Sequence, residues 1–289
     1  MGQFSIENTE QLEIYSKEID QNFYINVGLP PNYSKENNKY PVVYVTDAGS
    51  NFSGLMSSVP LMQLVNDLPH FILVGIDYKS KNSNDSMSLR NRDLTPTNDL
   101  VWMSTQKEMY KIFGDLPEAE PGGAKKFLEF IDQKVKPLIN KNYYTDSSDQ
   151  TYCGYSLGGL FGLYTLFTSP ESFNRYVLGS PSIWWDNKYI LKVEEDYAKD
   201  NNKLSANVFL SIGDLEEEGE QADTFKMISN VKALSKTLQS RNYKGLILKT
   251  AILDSVNVTE IIYKNESVQT DITINNISSH TQLNIKCNT

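Results

Sequence analysis

The residues best suited to chemistry in this sequence are a serine and the glycines beside it, Gly154-Tyr155-Ser156-Leu157-Gly158. An apolar run precedes this segment, and a small-residue, apolar helical pattern over 159–167 follows it. In a G-x-S-x-G motif, a sharp turn between a strand and a helix presents the serine hydroxyl, and bulky neighbours would collide there. A glycine-rich turn with an idle serine is the alternative, but this context favours Ser156 as a nucleophile.

Acyl transfer by a serine needs a base for its proton and hydrogen-bond donors for the oxyanion. The N–H of Leu157, at the start of the predicted helix, is the natural first donor. A second donor should come from the loop after an earlier strand, where Gly49 lies within 47–52. We predict that the Gly49 N–H fills this role, with a plain strand-ending turn as the alternative.

An acidic run follows the next-to-last predicted strand, in the segment Ser211-Ile212-Gly213-Asp214-Leu215-Glu216-Glu217-Glu218. A triad carboxylate belongs at this place when the catalytic residues occur in the order serine, acid, histidine. Glu216 is the first choice. Asp214 and Glu217 stay open because the spacing does not select one member of the run.

Six short apolar runs, rich in β-branched residues and often ended by Gly or Asp, could position these groups: 42–47, 71–77, 151–155, 176–179, 208–213 and 246–253. Such runs are typical of strands buried on both faces of a parallel sheet. Apolar residues recur at helical spacing over 127–138 and 225–238. Alternating strands and helices predict a parallel sheet covered by helices.

Two further segments complete the predicted organisation. Residues 12–29 alternate like an antiparallel strand pair and are predicted to form the first edge of the sheet. The polar segment 79–123 has no clear apolar period and is predicted to be a long irregular loop, of the kind that is usually functional or disordered.

Composition narrows the class of protein. A chain of 289 residues with a net charge of −9 fits one large α/β domain and disfavours nucleic acid as a partner. The sequence shows neither a secretory signal pattern nor an apolar stretch long enough to span a bilayer. Two cysteines, Cys153 and Cys287, allow at most one disulfide. We expect a reduced, cytoplasmic protein without a membrane partner, whose oligomeric state the sequence leaves open.

The chain resembles the branch of the α/β-hydrolases that contains enterochelin-esterase-like and bacillibactin-hydrolase-like enzymes. The similarity covers roughly 15–254 and is carried by the segments 39–47, 92–97, 122–128 and 154–159. The resemblance implies an α/β-hydrolase fold, with a mostly parallel sheet, helices on both faces and an antiparallel N-terminal edge.

The same resemblance implies hydrolysis of small-molecule carboxylic esters, in some members the lactones of ferric siderophores, with no metal or cofactor needed. Arg90 and Arg92 follow the second long strand and could bind an anionic substrate. Alternatively, Arg92 and Asp93 only pin the long loop. A non-catalytic binding protein and an acyltransferase that uses the same nucleophile are the alternative functions.

The catalytic histidine is not where the resemblance places it, a few residues after the last strand, because Val258 stands there. The only histidines are His70, which precedes a strand and is predicted at the opposite sheet edge, and His280, which we predict as the base. Residues 1–254 are predicted to form the hydrolase domain, and 255–289 an atypical tail in place of the histidine-bearing loop and closing helix.

Three interpretations of this tail stay open. It could be a divergent folded ending that brings His280 to the site, a replaced or out-of-frame ending, or the mark of a non-catalytic relative. The second accounts best for family-like sequence that stops abruptly near residue 254 while everything before it stays in register.

Overall fold

A mixed eight-stranded sheet forms the centre of the protein in a computed structural model that describes residues 6–36, 39–110, 119–219 and 222–254. Its strands are β1 Thr9–Ser16, β2 Gln21–Gly28, β3 Tyr40–Val45, β4 Ile72–Tyr78, β5 Thr145–Tyr155, β6 Arg175–Gly179, β7 Lys203–Gly213 and β8 Lys244–Leu253. They lie in the order β1-β2-β4-β3-β5-β6-β7-β8. β2 is antiparallel to both β1 and β4, and the neighbours from β4 to β8 are parallel. The predicted parallel sheet with an antiparallel first edge is confirmed.

Helices connect most of the parallel strands. They are α1 Ala48–Leu64, α2 Ser83–Asp93, α3 Leu100–Tyr110, α4 Ala124–Phe130, α5 Lys136–Asn142, α6 Leu157–Thr168, α7 Trp185–Asp200, α8 Ala222–Phe225 and α9 Met227–Arg241. A π-helical turn, Ile131–Val135, joins α4 to α5. The helical patterns predicted over 127–138 and 225–238 fall within these elements and are confirmed.

Two apolar cores lie on opposite faces of the sheet because successive side chains of a strand point to opposite faces. On β3, Val42 and Tyr44 belong to the larger core, which the segment from α4 to α6 and helix α9 cover. Val45 belongs to a smaller core with Phe52 and Met56 of α1. Helices therefore cover both faces, as predicted.

The prediction of one irregular loop over 79–123 is wrong for two stretches, which form α2 and α3. Helix α2 has little apolar surface, so periodicity did not reveal it. Its N-cap residue Asn82 accepts a hydrogen bond from the N–H of Asp85 at 3.0 Å. Asp85 lies in its first turn and two arginines in its last, the charge distribution that the helix dipole favours.

The parallel strands bring the functional segments to one edge of the sheet. The loops after β3, β5, β6 and β7 all begin at the carboxyl ends of parallel strands, where open α/β sheets bind their ligands. These elements belong to the unit Met1–Leu253. The tail 255–289 lies outside the described residues, so the predicted domain boundary stays a prediction. Across the described ranges, no helix is both long and apolar enough to cross a membrane.

Candidate active site

Ser156 occupies a strained turn between β5 and α6. Its φ of 58° and ψ of −116° are far from the regions that side-chain-bearing residues prefer. The flanking glycines make the turn possible. A Cβ atom on Gly154 would lie 2.4 Å from the carbonyl oxygen of Gly158, and one on Gly158 would lie 2.6 Å from Oγ1 of Thr46. The chain therefore adopts the predicted strand-to-helix elbow, with Ser156 at its tip.

Hydrogen bonds to the last residue of β6 and to the loop after it hold the elbow in place. The N–H of Ser156 donates to the carbonyl of Gly179 at 3.0 Å, and its carbonyl accepts from the N–H of Ser182 at 3.1 Å. The Ser182 side chain is almost fully buried, and its Oγ lies 3.3 Å from Oγ of Ser156. Ser182 is not among the residues predicted from the sequence. Its position just after the carboxyl end of a parallel strand was the available signal.

Leu157, the first predicted oxyanion donor, is the first residue of α6. Its N–H is one of the first four N–H groups of that helix, which have no partner within the helix. The positive end of the helix dipole adds to the attraction for a developing negative charge. This placement is compatible with the predicted role, which stays a prediction.

Gly49, the second predicted donor, lies in the first turn of α1, where its N–H donates to the carboxylate of Asp77. A Cβ atom on Gly49 would lie only 2.7 Å from Oδ2 of Asp77. Burial raises the pKa of Asp77, and hydrogen bonds from the N–H groups of Tyr78 and Gly49 oppose that rise. The oxyanion role of Gly49 stays a prediction, and it would require the Gly49 N–H to leave Asp77.

Glu216 lies between two loops at the edge that carries Ser156. Its Oε1 accepts hydrogen bonds from Oγ of Ser180, at 2.5 Å, and from the N–H of Gly213, at 2.9 Å. Ser180 follows β6 in the same short segment as Ser182. Glu216 is thus anchored through one carboxylate oxygen, which leaves Oε2 without a hydrogen bond from any described residue.

The neighbouring acidic residues have different surroundings. Both carboxylate oxygens of Glu217 accept hydrogen bonds from Ser229 of α9, at 2.5 Å each, and these bonds lower the pKa of Glu217. The N–H of Asp214 donates to the carbonyl of Leu253 at 3.0 Å and so joins the ends of β7 and β8. Both oxygens of Glu217 are therefore occupied by Ser229, whereas Glu216 has one oxygen without a described partner, and the choice of Glu216 as the triad acid stays a prediction.

Arg90 borders a cavity beside the elbow. Its guanidinium group binds the carboxylate of Asp47 through two hydrogen bonds of 2.8 and 2.9 Å. The cavity measures about 600 Å³ and is also lined by Asp77, Ser80 and Tyr155, the residue before Ser156. Asp47 and Asp77 line this cavity together with Arg90, whose charge is paired with Asp47, so the substrate-binding role of Arg90 stays a prediction.

Arg92, in the last turn of α2, instead joins the end of that helix to the residue that precedes α4. Its guanidinium group binds the carboxylate of the buried Asp93 at 2.7 and 2.9 Å, and its carbonyl accepts from the N–H of Gly123 at 2.7 Å. Burial raises the pKa of Asp93, and the pairing with Arg92 opposes that rise. These contacts favour the alternative interpretation, in which Arg92 and Asp93 pin the segment.

The histidines do not complete the site within the described residues. His70 is exposed and precedes β4, at the sheet edge opposite Ser156. The predicted base His280 and the substituted position Val258 both lie outside the described residues. In the parts of the chain that the structure describes, no group of three or more His, Cys, Asp or Glu residues could hold a metal ion.

A serine at a strand-to-helix elbow, above a mostly parallel sheet, is the arrangement of the α/β-hydrolase class. The family model described as "Putative esterase" matches residues 16–249. The chain therefore belongs to this esterase family.

Relatives and solved structures of the same branch agree with that assignment. Ferri-bacillibactin esterase BesA of Bacillus subtilis (strain 168) is 32% identical over 251 residues, which cover 84% of this chain and 81% of the relative. The crystal structure of BES protein from Bacillus cereus is 30% identical, covers 91% of this chain and 93% of its own, and has a TM-score of 0.73.

Siderophore hydrolase EstB from Aspergillus nidulans has the same fold, at 21% identity and a TM-score of 0.74, over 89% of this chain and 91% of its own. Together these comparisons confirm the resemblance and the α/β-hydrolase fold predicted from the sequence.

Proposed function

We propose that the chain hydrolyses small carboxylic esters, including siderophore-type lactones, with Ser156 as nucleophile. The observation that carries this proposal is the strained elbow, which holds Ser156 at the carboxyl edge of the sheet at the start of α6. Membership of the esterase family and the printed names of the relatives support the ester and siderophore parts.

In the proposed reaction, Oγ of Ser156 attacks the ester carbonyl while a histidine base takes its proton. The N–H of Leu157 stabilises the tetrahedral oxyanion, and the histidine then protonates the departing alcohol. Water, activated by the same base, releases the acid from the acyl-enzyme. Glu216 orients the histidine and stabilises its charged form. His280 is the predicted base because it is the only histidine besides His70.

We also propose a reduced, cytoplasmic location, because the two cysteines of the sequence allow at most one disulfide. Cys153 is a free cysteine, and burial raises the pKa of its thiol to about 11. The thiol therefore stays protonated at neutral pH and is a poor nucleophile.

A non-catalytic binding protein is the second candidate. The observation in its favour is that the only histidine among the described residues, His70, lies at the opposite sheet edge from Ser156. Such a protein would retain the elbow and the cavities but would lack a base.

Labelling by a fluorophosphonate probe, together with hydrolysis of aryl esters and siderophore lactones, tests the proposal. We expect Ser156→Ala to abolish labelling and to lower kcat by about 10³-fold or more. Ser169→Ala, at the far end of the same helix, is the matched control and should leave both unchanged. An unlabelled, inactive wild-type protein would overturn the proposal in favour of the binding protein.

His280→Ala tests the base separately. A loss of activity as large as that of Ser156→Ala would support His280. Full activity in this variant would exclude it as the base.

A further inference from the structure

A short segment between β6 and α7, residues 180–182, contacts both the proposed nucleophile and the proposed acid. Oγ of Ser180 donates to Glu216 at 2.5 Å, and Oγ of Ser182 lies 3.3 Å from Oγ of Ser156. Both serines of the segment are buried, with Ser180 3% and Ser182 1% exposed. The first contact anchors the acid. The second places a buried hydroxyl group beside the nucleophile, and the reaction described above gives that group no part.

The backbone around Ser182 is tied to the elbow and to α7. Its N–H donates to the carbonyl of Ser156 at 3.1 Å, and its carbonyl accepts from the N–H of Trp185 at 3.2 Å. Helix α6 packs closely against the preceding residue, because a Cβ atom on Gly159 would lie only 2.9 Å from Cα of Pro181. The position of Ser182 relative to Ser156 is therefore set by the backbone and does not depend on a flexible loop.

The residue at the start of the segment is held in a strained conformation. Ser180 has a φ of 42°, in the left-handed region that side-chain-bearing residues seldom adopt. Its N–H donates to the carbonyl of Ser211, in β7, at 2.7 Å. Backbone strain of this kind clusters at catalytic and ligand-binding sites. The strain supports a functional reason for the course of the chain here.

The two hydroxyl groups at the elbow depend on each other. Among the described residues, Oγ of Ser156 is the only hydrogen-bond partner of the Ser182 hydroxyl, and no other described side chain hydrogen-bonds Oγ of Ser156. A buried hydroxyl without a partner is costly. Ser182 therefore either serves the nucleophile or depends on it for its own hydrogen bond.

The chemistry of acyl transfer fixes the direction of this hydrogen bond. The hydroxyl of Ser156 has one proton, which must point to the base that removes it. Ser156 then has no proton left for Ser182, so the O–H of Ser182 is the donor and Oγ of Ser156 the acceptor. Ser182 keeps its own proton throughout.

A donor in this position acts in both halves of the reaction. In the first half, the proton of Ser156 moves to the base as the bond from Oγ to the acyl carbon forms. In the second, water adds to that carbon and gives a proton to the base, the bond to Oγ breaks, and the base returns a proton to Oγ. Negative charge builds on Oγ in each half, which strengthens a hydrogen bond from Ser182. An interaction that is stronger in the transition state than before it raises kcat.

We propose that Ser182 is a catalytic residue, which donates a hydrogen bond to Oγ of Ser156 and stabilises the charge that develops there. This role rests on the proposed ester hydrolysis. The contact between the two hydroxyl groups does not, and it can be measured in the absence of turnover.

Ser182→Ala removes the donor and tests the catalytic role. With para-nitrophenyl acetate as the ester, we expect kcat to fall by about 10- to 100-fold, the effect of losing one hydrogen bond to a charged oxygen. KM should stay within about threefold of wild type, because the hydroxyl contacts the nucleophile rather than the ester. The rate of fluorophosphonate labelling should fall by a similar factor, since Oγ of Ser156 is the attacking atom there too.

Ser235→Ala is the matched control. Ser235 is also a buried serine, 7% exposed, whose hydroxyl pairs with that of Thr250 at 2.8 Å, but it lies in α9. Its loss should leave kcat and the labelling rate unchanged. Wild-type rates in Ser182→Ala, or a loss confined to KM, would overturn the catalytic role of Ser182 and leave the proposed function intact. A wild-type protein that neither hydrolyses the ester nor reacts with the probe would overturn both.

Urea unfolding of the single and double variants tests the contact itself. Ser156→Ala should lower the urea midpoint, because it leaves the buried hydroxyl of Ser182 without a partner. Adding Ser182→Ala to that variant removes the unpaired hydroxyl and should raise the midpoint again. In the wild-type background, the same change removes a hydrogen bond and should not raise the midpoint. Equal shifts in the two backgrounds would show that the hydroxyl groups do not interact, and would overturn the proposal whatever the activity.

Discussion

At the scale of single residues, the two carboxylate oxygens of Glu216 differ in their hydrogen bonds. Oε1 accepts both anchoring hydrogen bonds, from Ser180 and from Gly213. Oε2 accepts none from the described residues and is available for the N–H of an imidazole ring. This division matches the needs of a triad acid, which must be held rigidly and still offer one oxygen to the histidine.

Glu216→Gln tests the role of Oε2 alone. The amide oxygen can keep both anchoring hydrogen bonds, while an NH2 group replaces Oε2. We expect kcat for ester hydrolysis to fall by about 10²- to 10⁴-fold, since an NH2 group cannot accept a hydrogen bond from the imidazole N–H. Glu217→Gln is the control, because Glu217 contacts Ser229 instead, and its kcat should stay within about threefold of wild type. Comparable losses in the two variants would contradict the assignment.

At the scale of elements, the junction of β5 and α6 is the most constrained part of the chain. The positive φ of Ser156 is tolerated because the backbones of Gly154 and Gly158 cross without side chains between them. Gly179, the last residue of β6, and Ser182, in the loop that follows it, each form one backbone hydrogen bond with Ser156. The position of Ser156 therefore depends both on the turn after β5 and on the residues at the end of β6 and just after it.

Gly154→Ala should destabilise the protein by about 2 kcal/mol or more and lower its esterase activity. The new Cβ would lie 2.4 Å from a backbone oxygen, which cannot rotate away as a side chain could. Gly54→Ala, in α1, is the matched control, because no atom lies within 4 Å of its Cβ. It should stabilise by about 0.5–1 kcal/mol. Urea unfolding checks both values, and a fully stable Gly154→Ala variant would show that the crossing can relax.

At the scale of the whole molecule, the two faces of the sheet differ in how well they are covered at β7 and β8. Helix α9 covers one face of β7 and β8, where Val208 is 2% exposed and belongs to the larger core. Ile247 of β8 points to the other face and is 60% exposed. With Val177 and Phe209 it lines a shallow cavity of about 290 Å³.

Replacing one side chain on each face by threonine measures this difference. Val208→Thr should cost about 1–2 kcal/mol of unfolding free energy, because it buries a hydroxyl group in an apolar core. Ile247→Thr should change stability by less than about 0.5 kcal/mol, since its side chain is already hydrated. Urea unfolding at neutral pH compares the two. A cost for Ile247→Thr as large as that for Val208→Thr would show that Ile247 is buried in the folded protein.

The sequence by itself determined the parts of this protein that depend on local pattern. Six apolar runs predicted the parallel strands, and the glycines around Ser156 predicted the elbow, because strand burial and sharp turns restrict residue types within a few positions. Helices α2 and α3 escaped prediction, since polar caps and charges rather than an apolar stripe mark α2.

Only the tertiary structure decided which side chains meet. It separated Glu216 from Glu217 by their partners after β6 and in α9, and it directed the Gly49 N–H to Asp77. It also brought Trp102, Trp184 and Phe225 together from three distant segments. Such contacts depend on the direction of each side chain and on strand order, and spacing along the chain specifies neither.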